Sequence, residues 1–512
     1  MTVVLASFLI FLALTFALAV WAFRRSKDAK DFYAAGQNIG GVQNGLALAG
    51  DQVSAAGFLG VTGIIYFSGF DGIILPLSAL LGWPLLLIVM AERMRRLGRY
   101  TFIDVLGHRL SGSGYRNVAA IAALCINMMY TIVQLVGGGS LLSLLLSIDY
   151  LTSLIIITAL MAVYVAMGGM VIATWIQMIK AALMVIGSAL FCFLILSRFG
   201  FSLPEMLRVA VDVHPRHAAI MTPGGSYFAD PISGISLSLA LALGLLGMPH
   251  VLMRFFTAPN AVEARRGAFW GTVVVAAFYA MLAIIGYGAI AIVTTDPAVI
   301  AAGGMPQGGQ NMVVMYLTRL VGGDAFFGFT AAVVFSTILA VVAGLAISSA
   351  ATLSHDIARA FFPALVATER RELMVSRVGA VGISLLSLLF ALALQSQNIA
   401  ILGTLALGTA ASANFPVLLL ALYWPGLTSR GAAAGMAAGL VSSIGLIAIS
   451  PVVMIDVLGH DHAWLDLSNP TLISMSLAFA ADYFFSTFDK SPDAAQSRRA
   501  FFAASDRQSD LT

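Results

Sequence analysis

Charge is what this sequence has least of. Asp, Glu, Lys and Arg together make up 10% of its 512 residues, against 60% hydrophobic residues and a mean hydropathy of +0.95. An average soluble domain is about one quarter charged, so this chain could not cover a water-facing surface. The same poverty excludes a disordered chain and a nucleic-acid binder. Cysteine is nearly absent: Cys125 and Cys192 both sit inside apolar runs. With no Cys/His cluster at metal-ligand spacing, neither a disulfide scaffold nor a zinc site is expected. No Walker A or dinucleotide-binding motif is present, which disfavours ATP-driven chemistry. His108, His250 and His355 lie on separate segments and build no acid/base constellation, so an enzyme is not expected. A polytopic membrane protein remains.

A bilayer-spanning helix needs about 20 mostly apolar residues. Thirteen such runs can be drawn, over 3–23, 41–67, 71–92, 117–147, 151–168, 174–197, 231–253, 268–294, 324–350, 376–396, 398–424, 431–455 and 471–488. The first is expected to be a retained helix rather than a signal peptide. It has no basic residue before its apolar run, and Arg24, Arg25, Lys27 and Lys30 follow it. That places the N-terminus outside and the C-terminus inside. Charge tests the arrangement independently, because basic residues concentrate on the inner side. The segments predicted to be inner (24–40, 93–116, 254–267, 351–377, 425–430 and the polar tail from 489) hold 22 of the 27 Lys and Arg. The longest outer segments, 198–230 and 295–323, carry Pro and Gly breaks and are read as loops.

Two spans are poor uniform helices. The second places Gly50, Asp51, Gln52 and Ser54 at mid-membrane depth, and the seventh contains Gly244, Gly247 and Pro249. Backbone without hydrogen-bond partners is too costly in hydrocarbon unless it lines a cavity. Interrupted helices five spans apart are the mark of an inverted-repeat secondary transporter. The expected organisation is an extra helix and first inner loop over 1–30, a first repeat over 31–230 and a second over 231–424. Two further helices over 425–488 and a tail over 489–512 complete it.

Ionisable and polar residues inside the membrane are the candidate functional residues. Asp51 is read as the one carboxylate well inside a span; a cation ligand, a proton carrier and a structural acceptor of backbone N–H groups are all open to it. Lys180 is the one lysine in a span and shares a helical face with Gln177. It either meets a substrate carboxylate, occupies a cation's place, or snorkels to the inner surface. Asn127, Tyr130 and Gln134 form a polar stripe on the fourth span, suited to cavity lining or to helix–helix hydrogen bonds. The ninth span carries Ser336, Thr337, Ser348, Ser349 and Thr352, hydroxyls that suit Na⁺ but also bond their own helix carbonyls. The basic run Glu92–Tyr100 is read as an inner-face anchor.

At these residues the sequence resembles the sodium:solute symporter family, and within it the acetate/monocarboxylate permease branch. The matching stretches begin with Asp31–Gly36, Gln43–Gly60, Ser68–Gly72, Gly82-Trp83-Pro84 and Glu92–Asp104. They continue with Thr174–Lys180, Gly247–Phe256, Thr337–Gly344 and Ser354-His355-Asp356. The resemblance implies an all-α, LeuT-like core of ten helices in a five-plus-five inverted repeat, working by alternating access. It implies cation-driven uptake of acetate, propionate, lactate or pyruvate across a bacterial inner membrane. The coupling ion would be Na⁺, with H⁺ as the alternative, and no other cofactor is expected. Apart from membrane lipid, no partner protein or nucleic acid is expected.

Carried over, the cation ligands are the carbonyls of Gly50 and Val53 with Ser336 and Thr337. Counting back from Asp356 without gaps puts Thr337, Ala340 and Val341 where sodium users of the family have a small residue and two hydroxyls. A one-turn shift brings Ser336 and Thr337 into register. The family's acidic position reads Gln177 here and Lys180 replaces a glutamine, which keeps proton coupling open. The anion would lie at the break between Ala49 and Ser54, with Gln52, Asn127, Tyr130, Gln134, Lys180, Gly247 and His250 as candidate partners. Asp51 and Lys180 are the candidate coupling residues. A same-fold symporter for an amino acid, sugar or urea is the nearest rival. A transporter-like sensor stands further off, because the short tail offers no signalling domain.

Overall fold

The computed structural model describes residues 5–10, 13, 17, 35–98, 100–167, 170–225, 228, 230–298 and 309–509. The first predicted span and the basic residues 24–30 therefore lie largely outside the described residues. What is described is helical throughout, with no strand. Among the described residues nine helices are long and apolar enough to cross a membrane, or up to eleven if each of two bent pairs counts as one span.

In chain order, the second predicted span is α1 (Gly41–Gln52) followed by α2 (Ala56–Ser68), bent by 50° at the break. Next come α3 (Phe70–Leu97), the short α4 (Phe102–Gly107), α5 (Gly114–Leu146), α6 (Tyr150–Met167) and α7 (Met170–Ser197). After α8 (Leu203–Val213), the seventh span is α9 (Pro231–Gly244), a tight turn over Leu245–Gly247, and α10 (Pro249–Met253). The remaining helices are α11 (Ala261–Val293), α12 (Gln310–Ala358), α13 (Glu369–Ala393), α14 (Ile399–Tyr423), α15 (Ser429–Ala448), α16 (Thr471–Thr487) and α17 (Pro492–Ser509).

Both interruptions expected from the sequence are present. Val53 leaves helical geometry at φ −71°, ψ 76°, and Met248 is extended at φ −74°, ψ 115° just before Pro249, which restarts the helix. The two broken spans meet near one end, where the Ile39 N–H donates to the Thr257 carbonyl (3.2 Å). Small residues bring the seventh span close to α14. A side chain on Gly247 would fall on the Ala410 carbonyl oxygen, and one on Gly244 on that of Leu407. Asn414 Nδ2 donates to the Gly247 carbonyl at 2.8 Å and so satisfies an acceptor freed by the break. Gly247→Ala should therefore destabilise the fold by about 1–3 kcal/mol through overpacking against backbone. A lower unfolding temperature in detergent, beside an unchanged Gly445→Ala control whose position faces open space, would show it.

Several sequence boundaries need correction. The predicted outer loop 295–323 contains the first turns of α12, which runs from Gln310 and kinks at Gly323 (φ 71°); glycine's freedom at positive φ allows the kink without ending the helix. The outer segment 198–230 likewise contains α8, and the tail folds into α17, set at 110° to α16. Arg254 was counted in an inner loop, yet it is 1% exposed. Asp51 is also not the one carboxylate inside a span: Asp482 on α16 is fully buried against Gly435 of α15. The basic run behaves as an anchor to protein. Arg93 donates to the Leu422 carbonyl and Arg95 to that of Ala258.

Candidate functional site

The site begins with backbone. Where α1 ends, the Ser54 N–H turns to the Gln52 carbonyl (2.8 Å) and not to Gly50 four residues back. The Gly57 N–H goes to Ser54 Oγ (3.5 Å) and not to the Val53 carbonyl. Gly50 and Val53 thus lose the helical donors that their carbonyls would otherwise have, and both residues are buried. Gly50 is also where α1 meets α7. A Cβ there would stand 2.5 Å from the Gln177 carbonyl oxygen.

Beside the break, Asp51 is fully engaged. Arg254 Nε donates to its Oδ2 (2.7 Å) and Arg254 Nη2 to its Oδ1 (3.3 Å), while Gln177 Nε2 donates to Oδ1 at 2.6 Å. The two charged side chains are 1% and 2% exposed. The guanidinium is held from the other side by Thr174 Oγ1 (2.9 Å), and the Arg254 carbonyl accepts from Asn44 Nδ2 and Thr257 Oγ1. A charge buried at this depth persists only when paired and hydrogen-bonded. The result is a lock between the second, sixth and seventh spans. Lys180 lies one turn beyond Gln177, buried, with Nζ donating to the Thr337 carbonyl of the ninth span at 3.4 Å. It does not snorkel to a surface.

On the α2 side of the break lies a cavity of about 50 Å³. Ordered water needs about 10–15 Å³ on the same measure, so the space suits a solute of only a few heavy atoms. Its polar groups are Gln52, Ser54, Tyr130, Tyr279 and Thr404, none of them charged, and Leu75, Leu241 and Leu407 supply apolar wall. Gln52 Nε2 donates to the Tyr279 hydroxyl at 2.7 Å. A second, larger cavity of about 340 Å³ lies between α5, α13, α14 and α15, lined by Met, Leu, Ile, Val, Phe and Ala side chains with Cys125. It offers nothing to orient a charged or polar solute, and the smaller cavity at the break is the better candidate.

Of the residues expected to meet a substrate, Gln52, Ser54 and Tyr130 line the small cavity, whereas Ala49, Asn127, Gln134, Lys180, Gly247 and His250 do not. His250 stands behind Tyr130, ring stacked on ring at 5.5 Å. Asn127 Nδ2 donates to Ser348 Oγ on α12 (3.0 Å), as a helix–helix contact would. Gln134 is buried with neither amide atom partnered. The Ser336 and Thr337 hydroxyls each donate to a carbonyl one turn back, at Ala332 and Val333 (2.8 Å), which leaves their oxygen lone pairs as acceptors. Three contributors went unread in the sequence. Arg254 looked like one more loop arginine, although it sits one helical turn after His250 on the stretch restarted by Pro249. Tyr279 and Thr404 carried no signal beyond a hydroxyl within an apolar run.

A profile of the sodium:solute symporter family matches residues 32–439. The chain belongs to the sodium:solute symporter family. It is therefore a multi-pass membrane transporter, a sodium-coupled symporter of a small solute, as the expectation at family level held. Solved structures agree on the fold. A Na⁺-coupled sialic acid symporter in a substrate-bound outward-open state is 16% identical, with 95% of this chain and 98% of that one covered and a TM-score of 0.72. The Eremococcus coleocola manganese transporter is 16% identical over 90% and 95% of the two chains, with a TM-score of 0.54. Mhp1, a nucleobase-cation-symport-1 family transporter in a closed conformation with bromovinylhydantoin bound, is 13% identical over 93% and 99%, with a TM-score of 0.53.

Proposed function

We propose that this symporter uses an inward Na⁺ gradient to take up a short monocarboxylate, of the size of acetate to pyruvate, across a bacterial inner membrane. The observation that carries the reading is the small cavity at the helix break. Its lining combines neutral polar groups with apolar side chains, and it has room for only a few heavy atoms. A carboxylate fits the first and a methyl or ethyl group the second, whereas a sugar or a large amino acid exceeds the space. The N–H groups that open α2 present the positive end of a half-helix. Gln52, Ser54, Tyr130, Tyr279 and Thr404 add hydrogen bonds. The Na⁺ ion would sit on the carbonyls of Gly50 and Val53, facing the ninth span, and supply the countercharge that the cavity lacks. Each ligand then raises the affinity for the other.

Uptake of labelled acetate, propionate, lactate and pyruvate into proteoliposomes, under Na⁺ and H⁺ gradients imposed separately, tests the reading. Sodium-driven accumulation of at least one of them is expected; no uptake of any under either gradient overturns it. Within the same assay, Tyr279→Phe removes the acceptor of the Gln52 amide. A hydrogen bond of this kind is worth about 0.5–1.5 kcal/mol, so apparent solute affinity should fall by about 2- to 10-fold with Na⁺ dependence unchanged.

A further inference from the structure

Away from the helix break, a group of ionisable side chains converges between α4 and the end of α12. The short helix α4 presents Asp104, whose Oδ2 accepts the N–H groups of Tyr100 (2.9 Å) and Thr101 (3.1 Å). Those bonds hold the carboxyl below the usual carboxylate range: burial pushes it up, and His355 and the two N–H groups more than offset that. Its Oδ1 faces His355 Nε2 at 3.5 Å. His355 and Asp356 both sit in the last turns of α12, where Thr352–Ala358 widens into a π-helical stretch, a distortion frequent at functional sites. Asp356 is 7% exposed; the Thr101 hydroxyl stands beside it as a donor, but neither carboxylate oxygen makes a regular hydrogen bond. One ligand atom from each of Asp104, His355 and Asp356 falls within 4.8 Å of the others.

A buried carboxylate so poorly supplied with donors is costly, and here it stands within 4.8 Å of an imidazole and a second carboxylate. We propose that Asp104, His355 and Asp356 form a binding site for a divalent cation of the zinc class, tying α4 to the end of the ninth span. Two oxygens and one imidazole nitrogen are a donor set that zinc accepts. Bonds of about 2.0–2.1 Å in a tetrahedral shell put ligand atoms about 3.3–3.5 Å apart, which is already the Asp104–His355 separation. Asp356 needs a side-chain rotation to close. The other ring nitrogen, His355 Nδ1, lies 3.4 Å from Arg359 Nη1 and 3.8 Å from Glu372 Oε1. An ion on Nε2 would move the ring proton to Nδ1 and turn it from Arg359 to Glu372, which Arg359 also holds (3.2 Å). A carboxylate behind a ligating histidine orients the ring and raises its basicity. Occupancy would fasten α4 to the end of α12 without touching the solute cavity.

Purified full-length protein in detergent, stripped with a chelator and titrated with Zn²⁺, tests the site by equilibrium binding and by unfolding temperature. One ion per chain with a raised unfolding temperature is expected. His355→Gln should abolish binding, Asp356→Asn should do the same, and Glu372→Gln should weaken it by about 10- to 100-fold. His355 is partly exposed, so its variant should fold and elute as the parent does. Absence of Zn²⁺ binding to the parent, or equal binding by His355→Gln, overturns the proposal. Neither readout depends on which solute is carried.

Discussion

Arg254→Leu should abolish transport and lower stability by about 3–5 kcal/mol, the cost of leaving a buried charge without its partner. Asp51 would then face Gln177 alone, in a setting 2% exposed, and the joint between the second, sixth and seventh spans would loosen. The double variant Asp51→Leu, Arg254→Leu separates the two roles of the pair. With no charge left buried, most of the stability should return, while the specific link between the broken spans stays lost and transport with it. Thermal unfolding in detergent and uptake by reconstituted protein read the two effects. If the double variant is as unstable as the sum of the two single ones, Asp51 and Arg254 are not coupled and the lock does not exist.

Lys180→Met should have the second-largest effect, on ion dependence and not on stability. Lys180 reaches the Thr337 carbonyl from the sixth span, in the wedge between α1, α7 and α12 where the carbonyls of Gly50 and Val53 are also freed. An ammonium there repels an incoming cation. Removing a unit charge about 5–10 Å away is worth about 2–3 kcal/mol at an effective dielectric of 20. Apparent Na⁺ affinity should therefore rise by about 30- to 150-fold, with sodium-driven uptake preserved. Loss of sodium drive in the variant, with uptake in the parent following an imposed proton gradient, would instead make Lys180 the proton carrier and remove Na⁺ from the mechanism. The two outcomes share one assay and cannot both occur.

Much of this protein was legible in its sequence because a membrane imposes one-dimensional rules. Apolar runs of fixed length mark spans, and glycine, proline and polar residues within a run mark where a helix cannot continue. Both interruptions, at Val53 and Met248, follow from that grammar. So does the candidacy of Asp51, Gln52, Ser54 and Lys180, since a polar group in hydrocarbon needs a partner wherever the chain places it.

What the sequence could not supply is the identity of the partner. Asp51 and Arg254 are 203 positions apart, and nothing local distinguishes Arg254 from the solvated arginines of the basic loops. Only the packing of the end of the seventh span against the second brings it to the break. The same holds for Tyr279, placed against Gln52 by α11, and for His355 and Asp356, placed against Asp104 by the end of α12. Helix breaks are decided by local backbone chemistry and can be read along the chain. Ion pairs and cavity walls are decided by which faces meet across it, and that is a property of the packed molecule alone.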